Sequence, residues 1–206
     1  MLQICLNLII LYACQSRNEI KSLRVISGNC KGRKLVKIHG SKIRPTSDRV
    51  KEALFNILGD KIENAKVLDL FAGTGALGIE ALSRGAKHAT FMDLSCNIIN
   101  ENLKLCGFEK KALVLDYDII KMNIPKNLYK KPFDLIFIDP PYGKNIIEHI
   151  FQYDLFFSHL QKNTIIITEQ FYKENLVINN RYLDIYRQKK YSKTVISFIT
   201  ASGSIE

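Results

Sequence analysis

The 206-residue chain lacks the cysteine and histidine patterns of a disulfide scaffold or a metal centre. Its five cysteines (Cys5, Cys14, Cys30, Cys96, Cys106) are odd in number and scattered, with no C-x-x-C pair, which argues against both a disulfide framework and a zinc site. The histidines His39, His88, His149 and His159 show no H-x-x-x-H spacing. No glycine-rich loop ends in Gly-Lys-Ser/Thr, which excludes P-loop chemistry. Internal repeats and low-complexity tracts are absent, and the apolar stretch from Met1 to Ala13 is too short to span a bilayer. That stretch also lacks the basic start of a signal peptide, and Leu11-Tyr12-Ala13-Cys14 fits a lipoprotein cleavage site poorly because of Tyr12. Residues 1–20 are therefore expected to be a dispensable extension. The chain reads as a reduced, metal-free, cytoplasmic protein without membrane attachment.

Acidic residues are scarce where basic ones concentrate. Between Lys21 and Lys51 stand ten Lys/Arg and one acid, Asp48, so +9 of the net charge of +10 falls in that segment. A charge run is often only a solvated face. Here the cations are interleaved with glycines and short apolar pairs, which suits a flap that binds a polyanion.

Along the chain, Leu23 to Ile26 and Lys34 to Ile38 are short strand-like pieces separated by Gly28 and Gly32, and predict a hairpin. Arg44-Pro45-Thr46-Ser47-Asp48 is a helix-entry signal, with Val50, Ala53, Leu54, Ile57 and Leu58 at helical spacing and Gly59 as the stop. Strands are predicted at Lys66–Leu70, Ala89–Met92, Ala112–Leu115, Phe133–Ile138 and Thr164–Thr168. Helices are predicted at Ala76–Arg84, Cys96–Cys106 and near Ile146–Gln152. This alternation predicts an α/β fold, a Rossmann-like and mostly parallel sheet. The tail, Tyr182–Tyr186 and Thr194–Thr200 joined through Lys189–Lys193, predicts a closing hairpin with the last strand antiparallel. The expected division is an extension at 1–20, a basic hairpin and helix at 21–60, and the main domain at 61–206.

Two motifs carry chemistry. The first is Asp69-Leu70-Phe71-Ala72-Gly73-Thr74-Gly75-Ala76-Leu77-Gly78, a strand feeding a glycine turn and then a helix, with Asp93 at the end of the next strand. Glycines let backbone approach a ligand, and a strand-end carboxylate can accept from both ribose hydroxyls. Asp69, just ahead of the turn, disfavours a phosphate and favours a sulfonium or amino group, which points to S-adenosylmethionine. Asp118 is placed to accept from the adenine amine, with Asp116 the nearby competitor. The second motif is Asp139-Pro140-Pro141-Tyr142 at the end of an apolar strand. Two prolines end a strand ladder and hold the preceding residues extended. That is consistent with plain punctuation, and equally with carbonyl acceptors beside a stacking ring that grip the exocyclic amine of a base.

Together Asp69 to Gly78, Asp93 and Asp139 to Tyr142 resemble a class I methyltransferase of the amino-group type. More narrowly, the strings Arg44 to Glu52 and Phe71 to Arg84 are similar to the RsmD family. The resemblance covers about Leu23 to Ala201. It implies S-adenosylmethionine-dependent methylation of the exocyclic N2 of a guanine in small-subunit (16S) ribosomal RNA, by a monomer acting on that RNA or on the assembling subunit. It implies catalytic roles for Asp139, Pro140, Pro141 and Tyr142. The cofactor would be held by Asp69, Phe71, Gly73, Gly75, Gly78, Asp93 and Asp118, and RNA by Arg24, Lys31, Arg33, Lys34, Arg44 and Arg49. Two departures stand out: Ser95 where an acidic residue often follows the ribose carboxylate, and Asp93 itself in place of glutamate. Adenine-N6 methylation remains open, since Asp-Pro-Pro-Tyr serves that chemistry too. A nicotinamide-dependent oxidoreductase built on the glycine turn is the reading from another class.

Overall fold

The computed structural model describes residues 23–37, 47–122, 124–128, 131–141, 146–152, 154–174 and 176–202. Tyr142 and Arg44 lie outside the described residues. Strands β1 (Lys66–Leu70), β2 (His88–Asp93), β3 (Ala112–Asp116), β4 (Leu135–Ile138), β5 (Ile165–Phe171), β6 (Leu183–Tyr191) and β7 (Thr194–Ala201) form one sheet in the order β3-β2-β1-β4-β5-β7-β6. Only β7 runs against the others: it is antiparallel to both β5 and β6, whereas β1 to β5 pair in parallel. The helices are α1 (Asp48–Leu58), α2 (Ala76–Ser83), α3 (Asn97–Cys106), α4 (Ile119–Met122), α5 (Ile146–Phe151) and α6 (Asp154–Ser158).

The central strands read as continuous apolar runs because both of their faces are covered. Val67, Leu135, Phe137, Ile165 and Ile167 pack under α1, α2 and α3, while Leu68, Leu70, Ile136, Ile138 and Ile166 pack with α5 and α6. Helix α1 begins where Ser47 accepts from the Val50 amide and ends at Gly59, whose φ is 53°. Its Phe55 ring meets Phe137 of β4 at 5.7 Å between centroids, a tilted pair worth about 1 kcal/mol beyond its burial. The segment 23–37 shares this core through Leu23, Val25 and Leu35. Among the described residues its ladder is one antiparallel bridge, Arg24 with Lys34, flanked by bonds such as Leu35 N–H to the Leu23 carbonyl; Ile38 lies outside them.

Several elements differ from the sequence expectation. Helices α4 and α6 had no counterpart in it. Strand β4 starts at Leu135, because the Lys66 carbonyl takes up the Asp134 amide before the ladder begins. The turn placed at Lys189–Lys193 narrows to Ser192–Lys193, since β6 continues through Lys189 and Lys190 to Tyr191.

Candidate active site

The strand order reverses between β1 and β4, the place where open α/β sheets bind ligands at their carboxyl ends. Register sets Leu70 beside Ile138, so the glycine turn after β1 and the Asp-Pro-Pro segment after β4 leave the sheet side by side. The two sequence motifs, 61 residues apart from Gly78 to Asp139, thus become neighbours.

The turn is held by two carboxylates. Gly73 donates its amide to Asp93 Oδ2 at 2.8 Å, and Gly78 donates to Asp69 Oδ2 at 2.9 Å. Phe71 opens the turn at φ 61°, a left-handed conformation that costs a bulky residue energy and that clusters at functional sites. Gly73 follows at φ 57°, and a Cβ there would meet only the Phe71 carbonyl, at 4.0 Å, so backbone lies open to a ligand. At Gly78 a Cβ would fall 2.3 Å from the Phe91 ring, so that glycine serves close helix–strand packing.

Asp69 does not stand where a direct contact with a sulfonium or amino group requires it. Its carboxylate is 1 % exposed and lies beneath the turn on the Gly78 amide, and burial pushes its pKa up to about 7. It builds the turn rather than lining its mouth. Asp93 is half-buried at the end of β2 and also accepts from the Ser95 amide at 3.2 Å, leaving lone pairs on both oxygens for ribose hydroxyls. Asp118 caps α4 by accepting from the Lys121 amide at 3.1 Å, and it pairs with the Lys121 ammonium at 3.4 Å. That amide bond, with the ammonium beside it, holds the Asp118 carboxyl below its ordinary range. Asp116 is exposed at the end of β3, opposite Asp93 in register. Asp139 is half-buried, Pro140 buried and Pro141 exposed. This set suits S-adenosylmethionine: an open glycine backbone, a strand-end carboxylate with lone pairs on both oxygens, and a buried carboxyl under the turn, where a pyrophosphate finds no cation.

Of the basic residues expected on RNA, Lys31, Arg33, Lys34 and Arg49 are exposed, and Arg24 is exposed while paired to Asp48 at 3.1 Å. Lys51, counted in the same charge run, is not a surface cation. It is 1 % exposed, donates to the Arg24 carbonyl at 2.6 Å and pairs with Glu80 at 3.3 Å. Glu80 also accepts from the amides of Ile26 (2.7 Å) and Ser27 (3.0 Å) and from Arg84 Nε (2.8 Å). Asn102, 0 % exposed, accepts from the Val36 amide at 2.7 Å and donates to the carbonyls of Val36 (3.1 Å) and Thr74 (2.9 Å). The basic segment is thereby tied to the glycine turn itself. Sequence reasoning counted Lys51 as a flap cation and gave Glu80 and Asn102 no role; the available signal was an acid, Glu80, set among Ile79, Ala81 and Leu82 in a helix with no polar face.

Fold and turn together define a class I methyltransferase. The family described as conserved hypothetical protein 95 matches residues 23–200. The chain belongs to this family, the RsmD methyltransferases, and S-adenosylmethionine is its cofactor. Ribosomal RNA small subunit methyltransferase D of Haemophilus influenzae is 37% identical over 160 residues, covering 75% of this chain and 82% of that protein. Among solved structures, "putative methyltransferase yhhF from Escherichia coli" aligns with a TM-score of 0.73 at 28% identity, over 88% of this chain and 98% of its own. SMU.776, solved with S-adenosylhomocysteine, aligns at 0.54 and 17% identity over 74% of this chain and 48% of its own, a likeness of fold. Among the described residues no helix is long and apolar enough to cross a membrane, and no cluster of ligating side chains could hold a metal.

Proposed function

We propose that this enzyme methylates the exocyclic N2 of a guanine in 16S ribosomal RNA. The observation that carries the reading is the adjacency of the glycine turn after β1 and Asp139-Pro140-Pro141 after β4, one strand apart at the switch point. The relatives named for the ribosomal small subunit support the RNA.

S-adenosylmethionine supplies an electrophilic methyl group. The chain supplies alignment: Asp93 takes the ribose hydroxyls, the backbone of Gly73 and Gly75 allows close approach, and Asp69 and Asp93 fix the turn that positions both. Asp118, or Asp116 beside it, accepts from the adenine amine. An aromatic amine is a weak nucleophile because its lone pair is delocalised into the ring. Asp139 and the Pro140 carbonyl accept from its N–H groups, favour pyramidal nitrogen and receive the departing proton. Tyr142 stacks on the extruded base. Arg24, Lys31, Arg33, Lys34, Arg44 and Arg49 track phosphates of the structured RNA.

The test is methyl transfer from labelled S-adenosylmethionine to naked 16S RNA and to isolated small subunits, with nucleoside analysis of the product. N2-methylguanosine is expected. N6-methyladenosine would replace the guanine reading with the adenine one, and binding of NAD without binding of S-adenosylhomocysteine would overturn both.

A further inference from the structure

The positive charge outside the amino-terminal segment is not evenly spread. Between Arg181 and Lys193 stand five Lys/Arg (Arg181, Arg187, Lys189, Lys190, Lys193) against one acid, Asp184. All five are exposed, and β6, which carries three of them, forms the far edge of the sheet. Register places this stretch at the functional end. Ile138 of β4 pairs with Thr168 of β5, and Phe171, three residues further on, pairs with Thr194, which in turn pairs with Tyr191 of β6. At about 3.3 Å per residue and 4.8 Å per strand, the end of β5 and the β6–β7 turn rise roughly 10 Å beyond the end of β4, β5 about 5 Å and the turn about 10–15 Å to its side.

Aromatic rings sit among these cations. Tyr172, 36 % exposed, carries the Lys190 ammonium 4.7 Å and the Lys173 ammonium 5.8 Å from its centroid. Its ring stands edge-on to Phe171 at 4.8 Å, and the Lys193 carbonyl holds its amide at 3.0 Å, so the ring is fixed at the rim. Tyr186 is 49 % exposed. Lysines on an edge strand also guard against pairing with another sheet. That role accounts for charge on β6, but it does not account for an exposed tyrosine beside two ammonium groups at the end nearest the active site.

We propose that the rim formed by Tyr172, Lys173, Lys189, Lys190 and Lys193 is a second RNA-contact surface. It takes the strand flanking the target nucleotide on the side of β4 away from the segment 23–37, which packs on α2 and α3. Cations spaced along a projecting edge meet successive phosphates, and Tyr172 offers a face for an unpaired base. The inference rests on an RNA substrate as read above, and gives that substrate a path across the site from one basic region to the other.

The test compares wild-type enzyme with Lys189→Glu/Lys190→Glu/Lys193→Glu, its glutamine counterpart, and Tyr172→Ala. Affinity for small-subunit RNA is measured across a salt series, alongside S-adenosylhomocysteine titration, melting temperature and sedimentation. The charge reversal is expected to weaken RNA binding about 10-fold or more and to lower the salt slope by about two. The glutamine variant should fall between, and Tyr172→Ala should lose about fivefold with the salt slope kept. S-adenosylhomocysteine binding and melting should match wild type in all three. If wild type binds and methylates the RNA while the triple variants match it in affinity and slope, the second surface is refuted and the proposed function stands. If the triple variants instead change only self-association, the edge is a guarded sheet edge and the proposal falls. If wild type neither binds nor methylates the RNA, the proposed function fails and this inference with it.

Discussion

Lys51 Nζ lies 3.3 Å from Glu80 Oε2 with both side chains almost wholly excluded from solvent. Burial lowers the Lys51 pKa, and Glu80 pulls it back up. Two buried charges are tolerated because every partner is present: Glu80 holds the Ile26 and Ser27 amides and Arg84, and Lys51 holds the Arg24 carbonyl. Breaking one side of such a pair leaves an uncompensated charge. Glu80→Gln should therefore cost about 3–5 kcal/mol in urea unfolding and free the segment 23–37 to proteases first. Loss of under 1 kcal/mol would show that the pair contributes little.

Asp69 gives the protein a pH dependence whose sign can be worked out. Its folded pKa, about 7, exceeds the ordinary value of 3.8, so between those values the folded state binds more protons than the unfolded one. Stability from this group is present in full below about pH 4, declines as pH rises toward 7 and is flat above. The span is on the order of 4 kcal/mol. Asp69→Asn keeps an acceptor for the Gly78 amide and removes the titration. Its melting temperature should gain on wild type from pH 5 to pH 7, a gain that parallel melting curves would fail to show.

Asn102 joins Val36 to Thr74 through three hydrogen bonds. Asn102→Ala leaves buried backbone groups unpaired on both sides, at about 1–3 kcal/mol each where water cannot enter. Calorimetry should show weaker S-adenosylhomocysteine binding by several-fold, because the Thr74 carbonyl no longer anchors the glycine turn. An unchanged affinity with reduced stability would confine Asn102 to holding the segment in place.

The Thr168 hydroxyl is 0 % exposed and has no hydrogen-bond partner among the described residues. Burying a hydroxyl without one is unfavourable. Thr168→Val, similar in shape, should leave stability unchanged or raise it by up to about 1 kcal/mol in denaturant titration. A loss of 2 kcal/mol or more would mean that the hydroxyl is used.

Local signals carried most of the fold. Strand β1 was legible residue for residue, because an apolar run ending in Asp-Leu-Phe-Ala-Gly combines a strand period with a turn. Ser47 and Gly59 bound α1 where capping chemistry places them. Strand β6 was legible only at its start: its residues from Asp184 to Lys190 are all exposed, so no alternation marks them as a strand. The strand-end positions of the glycines, Asp93 and Asp139 could be read from local order, and their adjacency needed only the strand order. Lys51 could not be read, because its partner lies 29 positions away on another helix and the sequence around Lys51 is that of a solvated basic run. Asp69 was visible as a residue, but its direction was not: a carboxylate beside a glycine turn can face the ligand or the turn, and here it faces the Gly78 amide.

The central claim, guanine-N2 methylation through Asp139, is tested most directly by mass mapping of 16S ribosomal RNA from a strain lacking the enzyme. The strain is complemented with wild type or with Asp139→Ala. The expected result is one N2-methylguanosine lost on deletion, restored by wild type, and still missing with Asp139→Ala at equal protein level. Restoration by Asp139→Ala, or a deletion that leaves every methylated guanine of the RNA in place, would contradict it.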